Sequence, residues 1–370
     1  MRQVMVHCLP PKPLQTVVGH GTGYRMNAIK IIRVAGVQVE SRNLDVEGNL
    51  RRSEALVAVA AERGADLVLC PEFLAPGYVY DPSIWEVAEP RGGPTELWLA
   101  RMARQHRLYI GASYLEAGTN DFFNTFCLMK PDGTVAGRVQ KESLPGFEGW
   151  FFRGCSGPKV IKTALGRVGI GICWDNCTAR FLRRMSEEQV DLLLMPHSAP
   201  CIAMGPLRLV GEKGRKVLRG VAAFYASALG VPTIMVNKAA GEDSWSPVPC
   251  VPLVRLRFHY IGQSTICNAE GNVCDQLSEK EGVVFAEVVL DAGKRRLPRI
   301  PSGYWSRPPA AFPRTSAALF RVLEWVGKAG YTLSRARRRA VRAGLAQRRA
   351  ESSRIAESCA AADRGRDAGS

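Results

Sequence analysis

The sequence predicts a layered α/β fold in which helices cover two mixed β-sheets. Between residues 28 and 290, apolar runs typical of buried strands alternate with segments of helical periodicity. Two hairpin signals, one at PDG (131–133) and one within 264–277, add antiparallel pairs to the parallel ones. The composition, 46 % hydrophobic and 23 % charged, is that of an ordinary globular protein.

The first half of this region alternates strands with two helices. The first helix stops at Gly64, a plausible C-cap, and the second opens with Pro94, which is favoured in the first helical turn. The predicted strands are 29–39, 65–72, 108–116, 124–130 and 134–139, and the predicted helices are 49–64 and 94–107.

The second half repeats the alternation and closes with antiparallel strands. The predicted strands are 166–175, 191–196 and 231–241, the hairpin 264–277, and the last strand 282–290. Helical spacing covers 179–190 and 216–230. No repeat of 20–50 residues interrupts this order.

The charge of +16 lies mainly outside this region. Residues 28–290 contain 29 basic and 28 acidic residues, whereas 291–370 contain 18 basic and 6 acidic ones. We therefore expect three parts: a poorly ordered N-terminal extension (1–27), a main domain (28–290), and a Pro/Arg-rich connector with a basic helical tail (291–370). The tail is either a solvated helix or a contact for an anionic partner, nucleic acid or membrane, and its removal is expected to leave the function of the main domain intact.

The expected cellular location rests on sequence features that the chain lacks. It has no apolar run of eighteen residues and no apolar core of a signal peptide near its start. Its eleven cysteines are scattered, which disfavours a disulfide framework or a structural zinc site. These features predict a cytoplasmic protein.

Three reactive residues each follow an apolar strand. Glu72 closes LVLCPE, Lys141 closes TVAGRVQK and Cys173 closes GRVGIGIC. Strand ends are where α/β folds build their sites. If these side chains meet, Glu72 can accept the thiol proton, Lys141 can favour the thiolate and stabilise an oxyanion, and the N–H of Trp174 can add a second donor.

The strings LVLCPEFLAPGY, GRVQKESLPGFEGWFFRG and GRVGIGICWDN resemble the nitrilase superfamily of carbon–nitrogen hydrolases, as does GQSTICNAEGNV. The resemblance covers about 28–290. It implies a four-layer α-β-β-α sandwich that forms homodimers or larger homo-oligomers and uses neither metal nor organic cofactor. It places Glu72 as general base, Lys141 as catalytic lysine, Cys173 as nucleophile and Glu148 as a second carboxylate. The implied reaction is hydrolysis of a small amide, N-carbamoyl compound or nitrile through a thioester.

Asp175 favours the amidase and N-carbamoyl-amine amidohydrolase branches, because nitrilases commonly have Glu at that position. Ser143 departs from these branches, where a histidine is frequent, and so does the segment 177–180, where a Pro-Glu pair is frequent. A nitrilase therefore remains the alternative. The predicted lining of the substrate pocket is Tyr78, Phe147, Trp150 and His197.

The sequence also allows other interpretations of these residues. Cys173 could pair with His197 or His259 as in papain-like enzymes, although that leaves Lys141 without a role. Each candidate could also be structural: Glu72 as a cap, Lys141 as a solvated lysine, Cys173 as an inert buried thiol. A hydrolase fold that only binds a ligand or partner is the third possibility.

Overall fold

The computed structural model describes residues 16–17, 29–202, 207–241, 244–249, 253–306 and 316–344. Its strands are β1 (Thr16–Val17), β2 (Ile29–Gln38), β3 (Leu67–Leu69), β4 (Tyr109–Ala117), β5 (Phe122–Met129), β6 (Val135–Gln140), β7 (Val160–Thr163), β8 (Gly166–Ile170), β9 (Leu192–Pro196), β10 (Pro200–Ile202), β11 (Thr233–Val236), β12 (Ser244–Pro247), β13 (Arg255–Tyr260), β14 (Thr265–Cys267), β15 (Val273–Gln276) and β16 (Gly282–Leu290).

The helices follow the predicted order. They are α1 (Val46–Glu62), α2 (Pro94–His106), α3 (Ala179–Glu187), α4 (Leu207–Leu229), α5 (Ser316–Leu333) and α6 (335–344). Asp45 caps α1 by accepting a hydrogen bond from the Gly48 amide at 3.0 Å. None of the helices in the described ranges combines the length and the apolar character needed to cross a bilayer.

Two large mixed sheets form the centre of the fold. The first has the order β1-β2-β3-β4-β5-β6, with β16 also paired to β2, and the second has the order β15-β14-β11-β9-β8-β7. Strands β2, β3 and β4 run parallel, as do β8, β9 and β11, while their outer neighbours are antiparallel. The expected mixed sheets are confirmed.

Apolar side chains from both sheets pack face to face between them, among them Ile32, Phe126, Ile170 and Ile234. On the outer face of the first sheet, residues of α1 and α2 such as Val57 and Leu99 complete a second apolar layer. Helices α3 and α4 do the same for the second sheet. The predicted four-layer α-β-β-α sandwich is therefore confirmed, and α5 and α6 form a helical C-terminal extension.

The structure differs from the prediction at a third, three-stranded sheet of order β10-β13-β12. The sequence of β13, RLRFHY, carries two arginines and a histidine, so it lacks the apolar run that marks a buried strand. The strand predicted over 166–175 ends at Ile170, and Cys173–Cys177 forms a 3-10 turn instead. Of the N-terminal extension, β1 alone is described, and it pairs with Lys30 and Ile29; the expectation of poor order otherwise lies outside the described residues, as does the tail beyond 344.

Gly36 in β2 lets the two sheets approach closely. A Cβ placed there would lie 2.5 Å from Cγ2 of Val236 and 2.8 Å from Cγ2 of Val284. We expect Gly36→Val to lower the free energy of unfolding by about 1–3 kcal/mol, because overpacking a dense core forces backbone shifts. Urea denaturation measures this change. Glu287→Ala on the neighbouring β16, an exposed position, is the control and should change it by less than about 0.5 kcal/mol; equal effects of the two variants would contradict the close approach.

Candidate active site

A buried ion cluster lies where the predicted reactive residues meet. The ammonium of Lys141 donates to Oε1 of Glu72 at 2.8 Å and to Oε1 of Glu148 at 2.7 Å, and all three side chains are 0 % exposed. Burial alone would lower the pKa of Lys141, but Glu148 and Glu72 outweigh it and raise the pKa well above its usual value. The lysine is therefore a permanent cation between two carboxyl groups.

Backbone and amide donors fix the Glu72 carboxylate. Oε1 also accepts from Nδ2 of Asn124 at 2.7 Å, and Oε2 accepts from the Ser198 amide at 2.8 Å. Ser198 follows β9 of the second sheet, while Glu72 follows β3 of the first. The hydrogen bond from the Ser198 amide therefore ties the two sheets together next to Glu72.

Glu148 lies in the 3-10 turn Glu148–Trp150. Its Oε1 also accepts a hydrogen bond from the hydroxyl of Tyr78, which lies 3.0 Å from the hydroxyl of Tyr80. Burial raises the pKa of Glu148 to about 7, with Lys141 opposing the shift and Glu72 adding to it. Its Oε2 makes no hydrogen bond within the described part of the chain.

Cys173 begins the 3-10 turn that follows β8, and its φ of 47° is in the left-handed region. Such a conformation is costly for a residue with a side chain and is typical of functional sites. Burial raises the pKa of the thiol and the Glu72 carboxylate adds to this, while Lys141 and the Ser198 amide lower it. The thiol thus lies within electrostatic range of the whole cluster and depends on a neighbouring base for its deprotonation.

The other predicted site residues lie in different surroundings. Tyr78 bonds to the cluster, and Phe147 packs edge-on against Tyr80 at 6.1 Å. Trp150 packs against Gly330 of α5, and Trp174 donates through its indole N–H to Tyr304 at 2.8 Å. The C-terminal extension therefore contacts both tryptophans.

His197 is buried beside the cluster, where its backbone carbonyl accepts a hydrogen bond from the Glu72 amide at 3.2 Å. Asn176 Nδ2 lies 3.0 Å from its Nε2, and burial, with Lys141 adding, lowers the pKa of the ring to about 3. An imidazole with so low a pKa is a weak base at neutral pH. The His197 form of the papain-like pairing is therefore disfavoured, and His259 lies in β13 opposite Cys201.

Comparisons with known proteins show the family of this chain. The family model described as carbon–nitrogen hydrolase matches residues 33–295. The chain belongs to the carbon–nitrogen hydrolase family. It is therefore an enzyme of the nitrilase superfamily, as the sequence resemblance predicted.

Individual relatives are distant in sequence. An N-carbamoylputrescine amidase of Oryza sativa subsp. japonica is 25 % identical over 74 % of this chain and 89 % of its own length. A nitrilase of Pyrococcus abyssi (strain GE5 / Orsay) is 28 % identical over 72 % of this chain and 93 % of its own. A structure of an amidase from Nesterenkonia sp. AN1, with acrylamide added at its active-site cysteine, has a TM-score of 0.56 and 21 % identity over 69 % of this chain and 92 % of that one; at that identity it shows the shared fold.

The sequence of this carbon–nitrogen hydrolase did not predict the contacts that several polar residues make around the cluster. Asp175 accepts from the Ser143 amide at 2.7 Å and pairs with Lys159 at 3.4 Å, which holds the segment after Lys141 in place. Asn124 is a polar residue in the otherwise apolar strand β5, and Lys238 follows β11 as Cys173 follows β8. The strand-end rule, applied to β11, would have found Lys238. In the described part of the chain, no group of three or more His, Cys, Asp or Glu side chains could hold a metal ion.

We expect His197 to make folding of this hydrolase sensitive to acid. Its pKa is about 3 in the folded protein against 6.5 for a free ring, so between these values the unfolded state binds the extra proton. The free energy of unfolding should therefore fall on acidification, by up to about 1.4 kcal/mol per pH unit. Urea denaturation from pH 4 to 6.5 should show a shallower pH dependence for His197→Asn than for the unsubstituted protein; identical slopes would refute the assignment.

Proposed function

We propose that this protein hydrolyses amides or N-carbamoyl compounds through a thioester on Cys173. One observation carries the proposal: a buried lysine bonded to two carboxylates, Glu72 and Glu148, beside a thiol on a strained turn. Family membership supports it, since several relatives are named for amide or carbamoyl substrates. This arrangement supplies a base, a cation and a nucleophile in a site shielded from water.

In the acylation step, the thiol sulfur attacks the substrate carbonyl carbon while Glu72 accepts the thiol proton. The carbonyl oxygen becomes an oxyanion, which the ammonium of Lys141 and the backbone N–H of Trp174 stabilise. The C–N bond then breaks, and Glu72 returns the proton to the departing nitrogen. Ammonia or an amine leaves, and the acyl or carbamoyl group stays on the sulfur.

In the deacylation step, water attacks the thioester carbon. Glu72 takes the proton of the water, and Glu148 orients the water through its second carboxyl oxygen. When the tetrahedral intermediate collapses, the C–S bond breaks and the thiolate recovers the proton. The product is a carboxylic acid, or a carbamic acid that decomposes to carbon dioxide and ammonia.

A nitrilase activity is the second candidate. The Pyrococcus abyssi relative named a nitrilase is 28 % identical, and the same nucleophile and base would serve a nitrile carbon. The residue after Trp174 favours the amide or carbamoyl branch. The predicted homo-oligomer and the anionic partner of the tail stay predictions.

The nucleophile is tested by substitution. We expect Cys173→Ala and Glu72→Gln each to lower kcat by about 1,000-fold or more, because groups that act as one unit fail together. Cys177→Ala is the matched control. It removes a half-buried cysteine four residues away, the pKa of whose thiol is raised by burial to about 12, and it should keep most of the activity. An active Cys173→Ala variant would overturn the mechanism.

The substrate class is tested by product analysis. Purified protein is incubated with small amides, N-carbamoyl amines and nitriles, and ammonia, carbon dioxide and acids are measured. Release of carbon dioxide together with an amine identifies a carbamoyl substrate, and acid with ammonia from amides identifies an amidase. Turnover of nitriles alone would replace the proposal with the nitrilase.

A further inference from the structure

Lys238 is a buried lysine that the mechanism above does not use. It follows β11, whose parallel neighbour β9 leads to the Ser198 amide that binds Glu72. Its side chain is 0 % exposed, and its ammonium makes no hydrogen bond within the described residues. Its Nζ lies 5.4 Å from the ring centre of Tyr260 and 6.0 Å from that of Tyr78. Lys238 therefore belongs to the same end of the two sheets as the ion cluster.

Tyr260 is the second unsatisfied group at this position. Its hydroxyl is buried and has no hydrogen-bond partner in the described ranges. It packs in one cluster with Tyr78, whose hydroxyl bonds to Glu148 of the ion cluster. Leaving a buried polar group unpaired costs free energy, about 1–3 kcal/mol and more for a charge. Two buried donors on neighbouring side chains, neither with an acceptor among the described residues, indicate a position that a ligand completes.

The chemistry of the two donors defines that ligand. An ammonium and a hydroxyl together can donate to the two oxygens of a carboxylate, and the anion also offsets the desolvated charge. A substrate ammonium at the same position would be repelled by Lys238. The rings of Tyr78 and Tyr260 leave the lysine in apolar surroundings, where burial lowers its pKa to about 7 while Glu72 opposes the shift.

We propose that Lys238 and Tyr260 form a subsite for a substrate carboxylate, so that the enzyme prefers carboxylate-bearing amides or N-carbamoyl compounds to ammonium-bearing ones. This inference rests on the proposed function and names the substrate class of the same site. It separates this chain from its relatives named N-carbamoylputrescine amidase, because N-carbamoylputrescine carries a free amine.

The test uses three N-carbamoyl compounds with the same three-methylene chain, ending in a carboxylate, a methyl or an ammonium group. We expect kcat/KM to decrease in that order. Lys238→Met should lower the carboxylate-to-methyl ratio of kcat/KM about tenfold or more. Lys162→Met, at an exposed position on β7, is the matched control and should leave this ratio unchanged. An unchanged ratio in Lys238→Met, or a preference for the ammonium compound, overturns the subsite.

Binding separates this inference from the proposed function. The Kd of each compound for the Cys173→Ala variant is measured by calorimetry, which needs no turnover. Tighter binding of the carboxylate compound, lost in Cys173→Ala/Lys238→Met, supports the subsite even if none of the three is hydrolysed. Proton uptake on binding at pH 8, measured in two buffers, is the expected signature of the lysine regaining its charge. Equal Kd values for the three compounds refute the subsite while leaving the hydrolytic mechanism standing.

The C-terminal extension carries a second, independent inference. Helix α5 lies outside the residues that match the family model, yet it packs on the turn that carries Glu148. A Cβ on Gly327 would lie 3.0 Å from the backbone of Gly149, and one on Gly330 would lie 2.0 Å from the ring of Trp150. The two glycines therefore bring the helix directly onto the turn.

The same helix holds the indole next to the nucleophile. Trp174 donates to the hydroxyl of Tyr304, which donates to Glu324 of α5 at 2.8 Å, and the Trp174 ring lies 4.8 Å from the ring of Phe320. Further along α5, the hydroxyl of Tyr331 accepts from the Phe122 amide at 2.8 Å. The extension thus contacts both segments that carry site residues, 147–150 and 173–174.

We infer that α5 positions Glu148 and Cys173 for hydrolysis, and that the extension is needed for activity rather than dispensable, in contrast to the expectation from sequence. Gly330 and Tyr304 act here as positioning residues. This inference also rests on the proposed function.

The test compares variants of the full chain. We expect Gly330→Leu to lower kcat about tenfold or more and to change the pH dependence of Cys173 alkylation by iodoacetamide, with the thermal midpoint of the catalytic domain retained. Tyr304→Phe is a conservative change that removes both hydrogen bonds, and it should also lower kcat. It is the test of the inference if Gly330→Leu does not fold. Trp325→Ala, on the outer face of α5 where the indole is 71 % exposed, is the control and should keep kcat. Unchanged kcat and unchanged alkylation in Tyr304→Phe would overturn the inference.

Discussion

The pairing of the Lys141 ammonium with the carboxyl groups of Glu72 and Glu148 is the constraint on which the rest of the site depends. Removing three charged groups from water costs several kcal/mol for each ion unless close partners compensate it. Here the lysine is bonded to both carboxyl groups, and the Asn124 amide and the Ser198 N–H satisfy Glu72 further. Such a cluster suits a reaction that needs a preorganised cation and base in an environment shielded from water.

The sandwich explains how the cluster is held. Glu72 and Lys141 follow strands of the first sheet, whereas Cys173 and Ser198 follow strands of the second. The apolar layer between the sheets sets their separation, and the hydrogen bonds between Glu72 and the segment after β9 set their register at this end. A shift of one sheet against the other would therefore separate Glu72 from Cys173.

Around this centre, burial and neighbouring charges give the ionisable groups different pKa values. Lys141 stays charged because two carboxyl groups surround it, and Glu148 titrates near neutrality because it is buried. Among the described residues, His197 and Lys238 are buried without a charged hydrogen-bond partner, and both pKa values are lowered, to about 3 and about 7. The first is consistent with a structural imidazole. The second belongs to the lysine of the proposed carboxylate subsite.

The local sequence pattern alone determined the order of strands and helices, the two mixed sheets, and the three strand-end residues Glu72, Lys141 and Cys173. It could do so because apolar runs and strand ends are recognisable in short stretches of sequence. It did not predict the third sheet, since β13 is rich in charge, nor the role of Asn124 and Ser198, which act through partners 52 and 126 residues away. Tertiary structure alone brought α5 onto the Glu148 turn and left Lys238 without a hydrogen-bond partner in the described part of the chain. Contacts between distant segments depend on how the layers pack, and no short stretch of sequence encodes that packing.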